Sequence, residues 1–354
     1  MSKDFDAFKG VLGRVADGHR LSEREAESAF DTIMTGNATP AQIGAFLMAL
    51  RLRGETVDEI TGAARTMRDK AARIDAPAGA IDVVGTGGDG AGTLNISTAA
   101  ALLVAGCGIP VAKHGNRALS SRAGAADVLA ALGVNIDASF PLIEKSIHEA
   151  GIGFMMAPRH HSATRHVAGP RVELAVRTVF NLLGPLSNPA FVRRLLVGVF
   201  APEWLEPLAE VLGRLGSERA WVVHGAGGLD ELTSFGETMV AEWSGGTVRS
   251  FTVTASDAGL SEGRFEDLKG GTGAYNAERL RALLDGEPGT YRDSAIMTAA
   301  GSLIVAGTAE NLAEGAALAA RSIDGGGARA ALARMVEISN EGIPPAGGPE
   351  TGDG

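Results

Sequence analysis

Through the first 73 residues the apolar positions repeat at helical spacing and show no strand-like alternation. Ile43, Phe46, Leu47 and Leu50 form one stripe. Capping signatures mark three helix starts: Ser22 with Glu25, Thr39 with Gln42 around Pro40, and Thr56 with Glu59. The pattern predicts a small helical unit. Phe46, Leu47, Met48 and Leu50 offer more apolar surface than short helices need internally, so part of this stripe is expected to face a partner. Ala76-Pro77-Ala78-Gly79 then reads as a linker.

From Ile81 the pattern changes. Short β-branched runs at 81–84 and 109–112 alternate with Ala/Leu-rich helical runs, which predicts βα units and a parallel sheet. Further on, the spacing predicts helices at 141–150 and from Gly169 toward Val179, and strands at 152–156, 195–200 and 220–223. An antiparallel hairpin between Met239 and Thr254 is expected at the sheet edge, followed by helices at 274–284, 293–306, 309–322 and 328–339. The fold class is therefore α/β: a small all-helical domain plus a larger domain with a mostly parallel central sheet.

Ligands of open α/β sheets bind beyond the carboxyl ends of the strands. The first strand there meets Gly85-Thr86-Gly87-Gly88-Asp89-Gly90-Ala91-Gly92, which leads into Asn95-Ile96-Ser97-Thr98 at a helix start. Glycines admit a ligand close to the backbone, and helix-start N–H groups with two hydroxyls suit phosphate. Lys113-His114-Gly115-Asn116-Arg117 follows the second strand as a loop with two cations, ahead of Ser120 and Ser121 at the next helix start. Asp89 would repel phosphate unless a cation lay between them, and Mg²⁺ is the usual solution. Gly85, Gly87 and Gly90 match a dinucleotide fingerprint. That reading fails on context, because no helix opens at the third glycine and the second strand ends in Lys113-His114 rather than an acid.

Two other stretches carry chemistry. Asp230-Glu231 follow Gly227-Gly228-Leu229 at a strand end, where an acid pair either decorates a solvated loop or holds a metal; the position favours the metal. Residues 157–166 (APRHHSATRH) are dense in imidazole and guanidinium. No cysteine or acid nearby completes a zinc set, so this reads as a solvated loop bordering an anionic substrate.

Composition narrows the reading further. The 354 residues carry a net charge of −10, which argues against a nucleic-acid surface and for a local cationic site gripping a small phosphorylated ligand. Mean hydropathy is +0.10, that of an ordinary soluble globule. Cys107 is the sole cysteine and reads as core packing. The longest apolar stretch, 98–112, is too short to cross a membrane and contains Gly106, Gly108 and Pro110. The opening residues lack an apolar signal core, so a cytoplasmic protein is expected.

GTGGD (85–89), NIST (95–98), KHGNR (113–117) and RTVFNLLGPLSNP (177–189), in that order, resemble the anthranilate phosphoribosyltransferase family. The resemblance implies transfer of the 5-phosphoribosyl group from 5-phosphoribosyl-1-pyrophosphate to the amine of anthranilate, a step of tryptophan biosynthesis. The products would be N-(5-phosphoribosyl)anthranilate and pyrophosphate. It implies a discontinuous helical domain, 1–75 plus about 169–190, through which a homodimer forms. It also implies an α/β catalytic domain of the nucleoside phosphorylase/phosphoribosyltransferase type at 80–168 and 191–342; the Pro/Gly-rich composition of 343–354 predicts a flexible tail.

Carried over residue by residue, the donor would be bound by Gly85, Gly88, Asp89, Thr93, Asn95, Ile96, Ser97, Thr98, Lys113, His114, Gly115, Asn116, Arg117, Ala118, Leu119, Ser120, Ser121 and Ala125. Gly85, Asn116 and Arg171 would bind anthranilate. Ser97, Asp230 and Glu231 would hold Mg²⁺, two ions per subunit. No residue is a certain catalyst, and His114 is the candidate late proton acceptor.

The chain departs from the family at His161-Ser162-Ala163-Thr164, where His-Pro-Ala-Met is usual, and at Ala125, where serine is usual. A pyrimidine-nucleoside phosphorylase shares the architecture but needs no pyrophosphate-bound Mg²⁺ pair, so Asp89 with Asp230-Glu231 counts against it. A non-catalytic binding protein on the same fold sits badly with the acidic balance and the intact KHGNR.

Overall fold

The computed structural model describes residues 3–118 and 122–343. Its chain opens with α1 (Lys3–Ala16), α2 (Glu23–Met34), α3 (Pro40–Arg53) and α4 (Val57–Asp69). Each of the last three starts where local chemistry predicts, with Ser22, Thr39 and Thr56 accepting from the N–H three residues on and the reciprocal acid or amide bond in place. Ile43, Phe46, Leu47 and Leu50 are fully buried within the chain itself. Phe46 packs between Phe8 and Phe30, its ring centre 5.5 and 5.7 Å from theirs. This corrects the expectation that Phe46, Leu47 and Leu50 face a partner. The most exposed large apolar side chains among the described residues are instead Leu52, at the end of α3, and Val172, 80% and 78% exposed.

After residue 80 the elements run β1 (Ile81–Gly85), α5 (Ile96–Gly106), β2 (Val111–Gly115), α6 (Ala125–Ala131), α7 (Phe140–Glu149) and β3 (Ile152–Met156). Then come α8 (Ala157–His160), α9 (Arg165–Leu174), α10 (Phe180–Leu186), β4 (Arg194–Gly198), α11 (Leu205–Arg214) and β5 (Arg219–His224). The chain ends with β6 (Thr238–Ser244), β7 (Thr247–Val253), α12 (Gly273–Leu284), α13 (Thr290–Ala306), α14 (Leu312–Asp324) and α15 (Gly327–Ser339). Among the described residues the strands form one sheet in the order β3-β2-β1-β4-β5-β6-β7. Its first five strands are parallel, and β6 and β7 form the antiparallel hairpin expected at the edge.

Four differences from expectation bear on the site. β2 starts at Val111, after a turn at Gly108 (φ 84°), and runs through Lys113 and His114, so those two belong to a strand rather than a loop. The following helix opens at Ala125 with Gly124 as its N-cap, beyond Ser120 and Ser121. Residues 157–164, expected as a solvated loop, are α8 and a 3-10 turn. α9 begins four residues before Gly169 and ends at Leu174, since it takes Pro170 into its body; Arg171 is therefore in its last turn, not at its head. Leu119, Ser120, Ser121 and the tail beyond Ile343 lie outside the described residues.

Strand alternation sorts the core into two faces. Ile81, Val83, Val111, Ile152, Leu196 and Trp221 join α5 and α12–α15 on one face. Val84, Ala112, Met155, Leu195, Val197 and Val222 face the other way and are continuous with the core of α1–α4, α10 and α11. The helical unit thus closes one face of the sheet instead of standing apart. Arg68 of α4 ties it down, donating to the carbonyls of Leu186 at 2.6 Å and Leu215 at 3.0 Å. α9 packs on α2 and α3, and α10 on α4. Cys107 caps the end of α5 with its thiol 3.5 Å from the Leu318 carbonyl, consistent with a packing role.

Candidate active site

The strand order reverses at β1, with β2 on one side and β4 on the other, so the crevice of this fold opens beyond Gly85 and Gly198. A cleft of about 350 Å³ lies there. The two strand ends must be glycine. A Cβ on Gly85 would come within 2.2 Å of Asp230 Oδ2, and one on Gly198 within 1.6 Å of the Asp230 carbonyl. The loop after β5 lies down on this bare surface. Gly227 and Gly228 take φ of 72° and 82°, Gly225 N–H donates to the Leu229 carbonyl at 2.8 Å, and the tight turn delivers Asp230 and Glu231 into the cleft.

Asp230 accepts from the Gly87 N–H at 2.7 Å and Glu231 from the Ser97 N–H at 3.0 Å. Both acids are buried. Burial first, then the neighbouring Asp89 carboxyl, pushes Asp230 up to about 7. Burial and then Asp230 push Glu231 up to about 8. Two acids held short of full charge, side by side in a cleft, suit a divalent cation. The donors are all hard oxygens, as Mg²⁺ prefers. Among the described residues no group of three or more His, Cys, Asp or Glu is placed to hold a metal. Mg²⁺ is usually held by one or two carboxylates with substrate phosphates completing its shell. Asp230, Glu231 and the adjacent Ser97 therefore fit the ion.

The cleft brings together Gly85, Gly88, Asp89, Thr93, Asn95, Ser97, Thr98, Lys113, His114, Gly115, Asn116, Arg117, Ala118, Ala125, Arg171, Asp230 and Glu231. Ile96 does not line it; its side chain points into the core. Several of these residues are already engaged. Lys113 is buried, and its ammonium donates to the Val83 carbonyl at 2.7 Å rather than standing free on a loop; burial lowers its pKa, against the pull of Asp82 and Glu231. Arg117 pairs with Asp127 at 3.0 Å. The second stretch therefore does not supply two free cations.

Asn95 accepts from Asn276 at 2.8 Å and donates to the Ala123 carbonyl at 3.2 Å, so its amide straps the loop rather than capping α5. Thr98 Oγ1 is buried with no hydrogen-bond partner among the described residues.

His114 stands against His161, ring centres 5.1 Å apart. Burial and the neighbouring imidazoles His161 and His160 hold its pKa well below the usual value. It is a neutral, weak base, which counts against the late-acceptor reading. His160 and His161 are buried as well, whereas Pro158, Ser162 and Arg165 are exposed, so this stretch is solvated only in part. His160 stacks on Phe140 at 4.6 Å and points away to the Ala72 carbonyl.

Arg171, in the last turn of α9, lines the same cleft as the acids. It is partly buried, lies 5.5 Å over the Phe180 ring and has no ion pair among the described residues. Burial lowers its pKa, yet the guanidinium keeps its charge. Met67, Phe180, Asn181, Gly184 and Pro185 also line the cleft, and sequence reasoning does not single them out as site residues. Asn181, Gly184 and Pro185 stand in a recognisable motif that assigns them no contact, and Met67 gives no signal in sequence.

Residues 78–329 match the glycosyl transferase family, a/b domain, and residues 9–71 match the glycosyl transferase family, helical bundle domain. An anthranilate phosphoribosyltransferase of Rhodospirillum rubrum is 67% identical over 94% of this chain and 95% of its own length. The crystal structure of the Thermus thermophilus enzyme superposes with a TM-score of 0.89 at 44% identity, covering 93% of this chain and 99% of that one. The Saccharomyces cerevisiae enzyme in complex with PRPP and Mg superposes at 0.86 with 27% identity, covering 96% and 99%. The yeast enzyme in complex with 4-fluoroanthranilate superposes at 0.85 with 26% identity, covering 95% and 98%. With both of its segments matched and its strand-end cleft intact, the chain belongs to the anthranilate phosphoribosyltransferase family.

Proposed function

We propose that the protein transfers the 5-phosphoribosyl group of 5-phosphoribosyl-1-pyrophosphate to the amine of anthranilate, releasing pyrophosphate, as a step of tryptophan biosynthesis. The observation that carries this reading is that Asp230-Glu231, the glycine loop and Arg171, which has no ion pair among the described residues, line one cleft. An acidic wall with backbone amides suits a metal-bound pyrophosphate, and a bare guanidinium suits a carboxylate. The relatives point the same way, since the yeast enzyme was solved with PRPP and Mg and with 4-fluoroanthranilate.

Breaking the C1–O bond places positive charge on the ribose and negative charge on the leaving pyrophosphate. When bound, Mg²⁺ supplies positive charge to the pyrophosphate oxygens. Asp230, Glu231 and Ser97 would hold it, with two ions per subunit as our assignment. The N–H groups of the loop at 85–92 and the start of α5 orient the donor. Arg171 clamps the anthranilate carboxylate and so aims the amine, with Asn116 and Gly85 beside it. An aromatic amine is already largely neutral, so no strong base is required before attack. His114 stays a neutral neighbour of the acceptor and takes no assigned step.

We assign the helical domain to 1–75 plus about 169–190, a boundary supported by the packing of α9 and α10 on α2–α4. A homodimer through that domain is supported by exposed Leu52 and Val172 on the packed helices α3 and α9. The compartment we assign is the cytoplasm, in keeping with a single cysteine. Anthranilate fluorescence tests the activity. It should fall on addition of enzyme only when the phosphoribosyl donor is present. Cleavage of a pyrimidine nucleoside by orthophosphate, with anthranilate untouched, would instead establish the phosphorylase reading.

A further inference from the structure

Arg177 lies outside the cleft lining, six residues past Arg171, in the connection between α9 and α10. α9 stops at Ala175, whose φ of 52° is left-handed, a conformation that disfavours alanine. The turn carries Arg177 back toward the sheet. There its guanidinium stacks on Phe200, 4.3 Å from the ring centre, and its Nη2 donates to the Gly88 carbonyl. Phe200 is itself fixed, since its N–H donates to Thr86 Oγ1 at 3.1 Å, while the Thr86 N–H donates to the Gly198 carbonyl at 2.9 Å. From behind, Arg51 of α3 donates to the Arg177 carbonyl. A Cβ on Gly88 would sit 3.4 Å from Arg177 Nε, so loop and guanidinium are closely fitted.

The peptide plane gives this contact its consequence. In a trans peptide the carbonyl of one residue and the N–H of the next point in opposite directions. With the Gly88 oxygen pinned on the Arg177 side, the Asp89 N–H points the other way. A carbonyl free to flip in a run of glycines would present its oxygen to phosphate, which repels it. We propose that Arg177 is a positioning residue for the donor: it fixes the Gly87-Gly88-Asp89 turn so that N–H groups, not carbonyls, meet the phosphates. This rests on the phosphoribosyl reading above. It also joins the two substrates' walls, since the segment that carries Arg171 is the one that sets the donor loop.

Calorimetric titration with 5-phosphoribosyl-1-pyrophosphate and Mg²⁺ tests it. Arg177→Ala should weaken donor binding about tenfold, the order of one lost charge-assisted hydrogen bond. The anthranilate KM at saturating donor should stay within about twofold. Arg177 is exposed, so the melting temperature should hold within about 1 °C. Arg177→Lys should recover part of the donor affinity. Phe200→Leu should weaken donor binding in the same direction, and the double variant should be no worse than Arg177→Ala alone, because the ring acts through the guanidinium. Unchanged donor affinity in Arg177→Ala, or fully additive losses in the double variant, overturns the proposal. Parent protein that binds no donor overturns the phosphoribosyl reading and this proposal together, whereas binding parent with an equally binding variant overturns the proposal alone.

Discussion

Asp230 and Glu231 have folded-state pKa values of about 7 and about 8, above the ordinary 3.8 and 4.5, because burial disfavours their charge, as do Asp89 beside Asp230 and Asp230 beside Glu231. Without metal, the folded protein therefore keeps protons that the unfolded chain has released. This contribution to stability is fully present below the ordinary carboxylate range and is lost as pH rises through about 7 to 8. Asp230→Asn with Glu231→Gln removes the penalty. In metal-free calorimetry the double variant should melt about 5 °C above the parent at pH 8.5, the gap closing toward pH 5. Turnover should drop at least about a hundredfold in the same variant, since neutral amides hold Mg²⁺ poorly. Arg171 gives the opposite signature. Arg171→Ala should raise the anthranilate KM at least about tenfold with donor KM little changed, and an analogue lacking the carboxylate should lose its disadvantage. Loss of donor affinity instead would assign Arg171 to the phosphate wall. The acid pair and Arg171 are legible in sequence. The state of Lys113 is not, because its burial and its bond to the Val83 carbonyl depend on a neighbouring strand that no local pattern names.

At the scale of elements, the site depends on strand ends bare enough for one loop to lie across them. A methyl group at Gly198 would overlap the Asp230 carbonyl, so Gly198→Ala must displace the loop that carries both acids. We expect a loss of about 2 kcal/mol or more in denaturant unfolding, with a raised Mg²⁺ requirement. An unchanged Mg²⁺ requirement would show that the loop reaches its place another way. Elements whose cause is local are readable from sequence: the capping boxes of α2–α4, the β6–β7 hairpin and the glycine loop ahead of α5. Those set by distant partners are not. β2 extends through His114 because it pairs with β3 as far as Gly115 and Met156. The start of α9 is hidden because Gly169-Pro170, inside its body, imitates a helix start. The second half of the glycine loop is held by distant chain, with Leu94 N–H donating to the Leu268 carbonyl at 2.8 Å and Asn276 gripping Asn95.

Across the whole molecule, the helical unit and the acceptor wall are one packed body. Phe30 of α2 meets Phe180 edge-on at 5.8 Å, and Phe180 carries Arg171 above its ring. Phe180→Leu should therefore raise the anthranilate KM several-fold, about 1 kcal/mol, while the donor KM stays put. A matching change in donor KM would mean that the ring supports the whole cleft and not Arg171 in particular. The exposed pair Leu52 and Val172 belongs to the same body. If the homodimer proposed above forms through this face, Leu52→Glu with Val172→Glu should shift sedimentation from dimer to monomer, and an unmoved sedimentation coefficient would contradict that assignment. All of this serves one claim: a metal-bound pyrophosphate on the acidic wall leaves as anthranilate on the arginine wall attacks. The most direct measurement counts a product and a substrate of that event, pyrophosphate released against anthranilate consumed, as divalent cation is withdrawn by chelation and then restored. The account predicts a one-to-one ratio that vanishes without the cation and returns with Mg²⁺. Pyrophosphate release without anthranilate loss, or turnover indifferent to chelation, would contradict it.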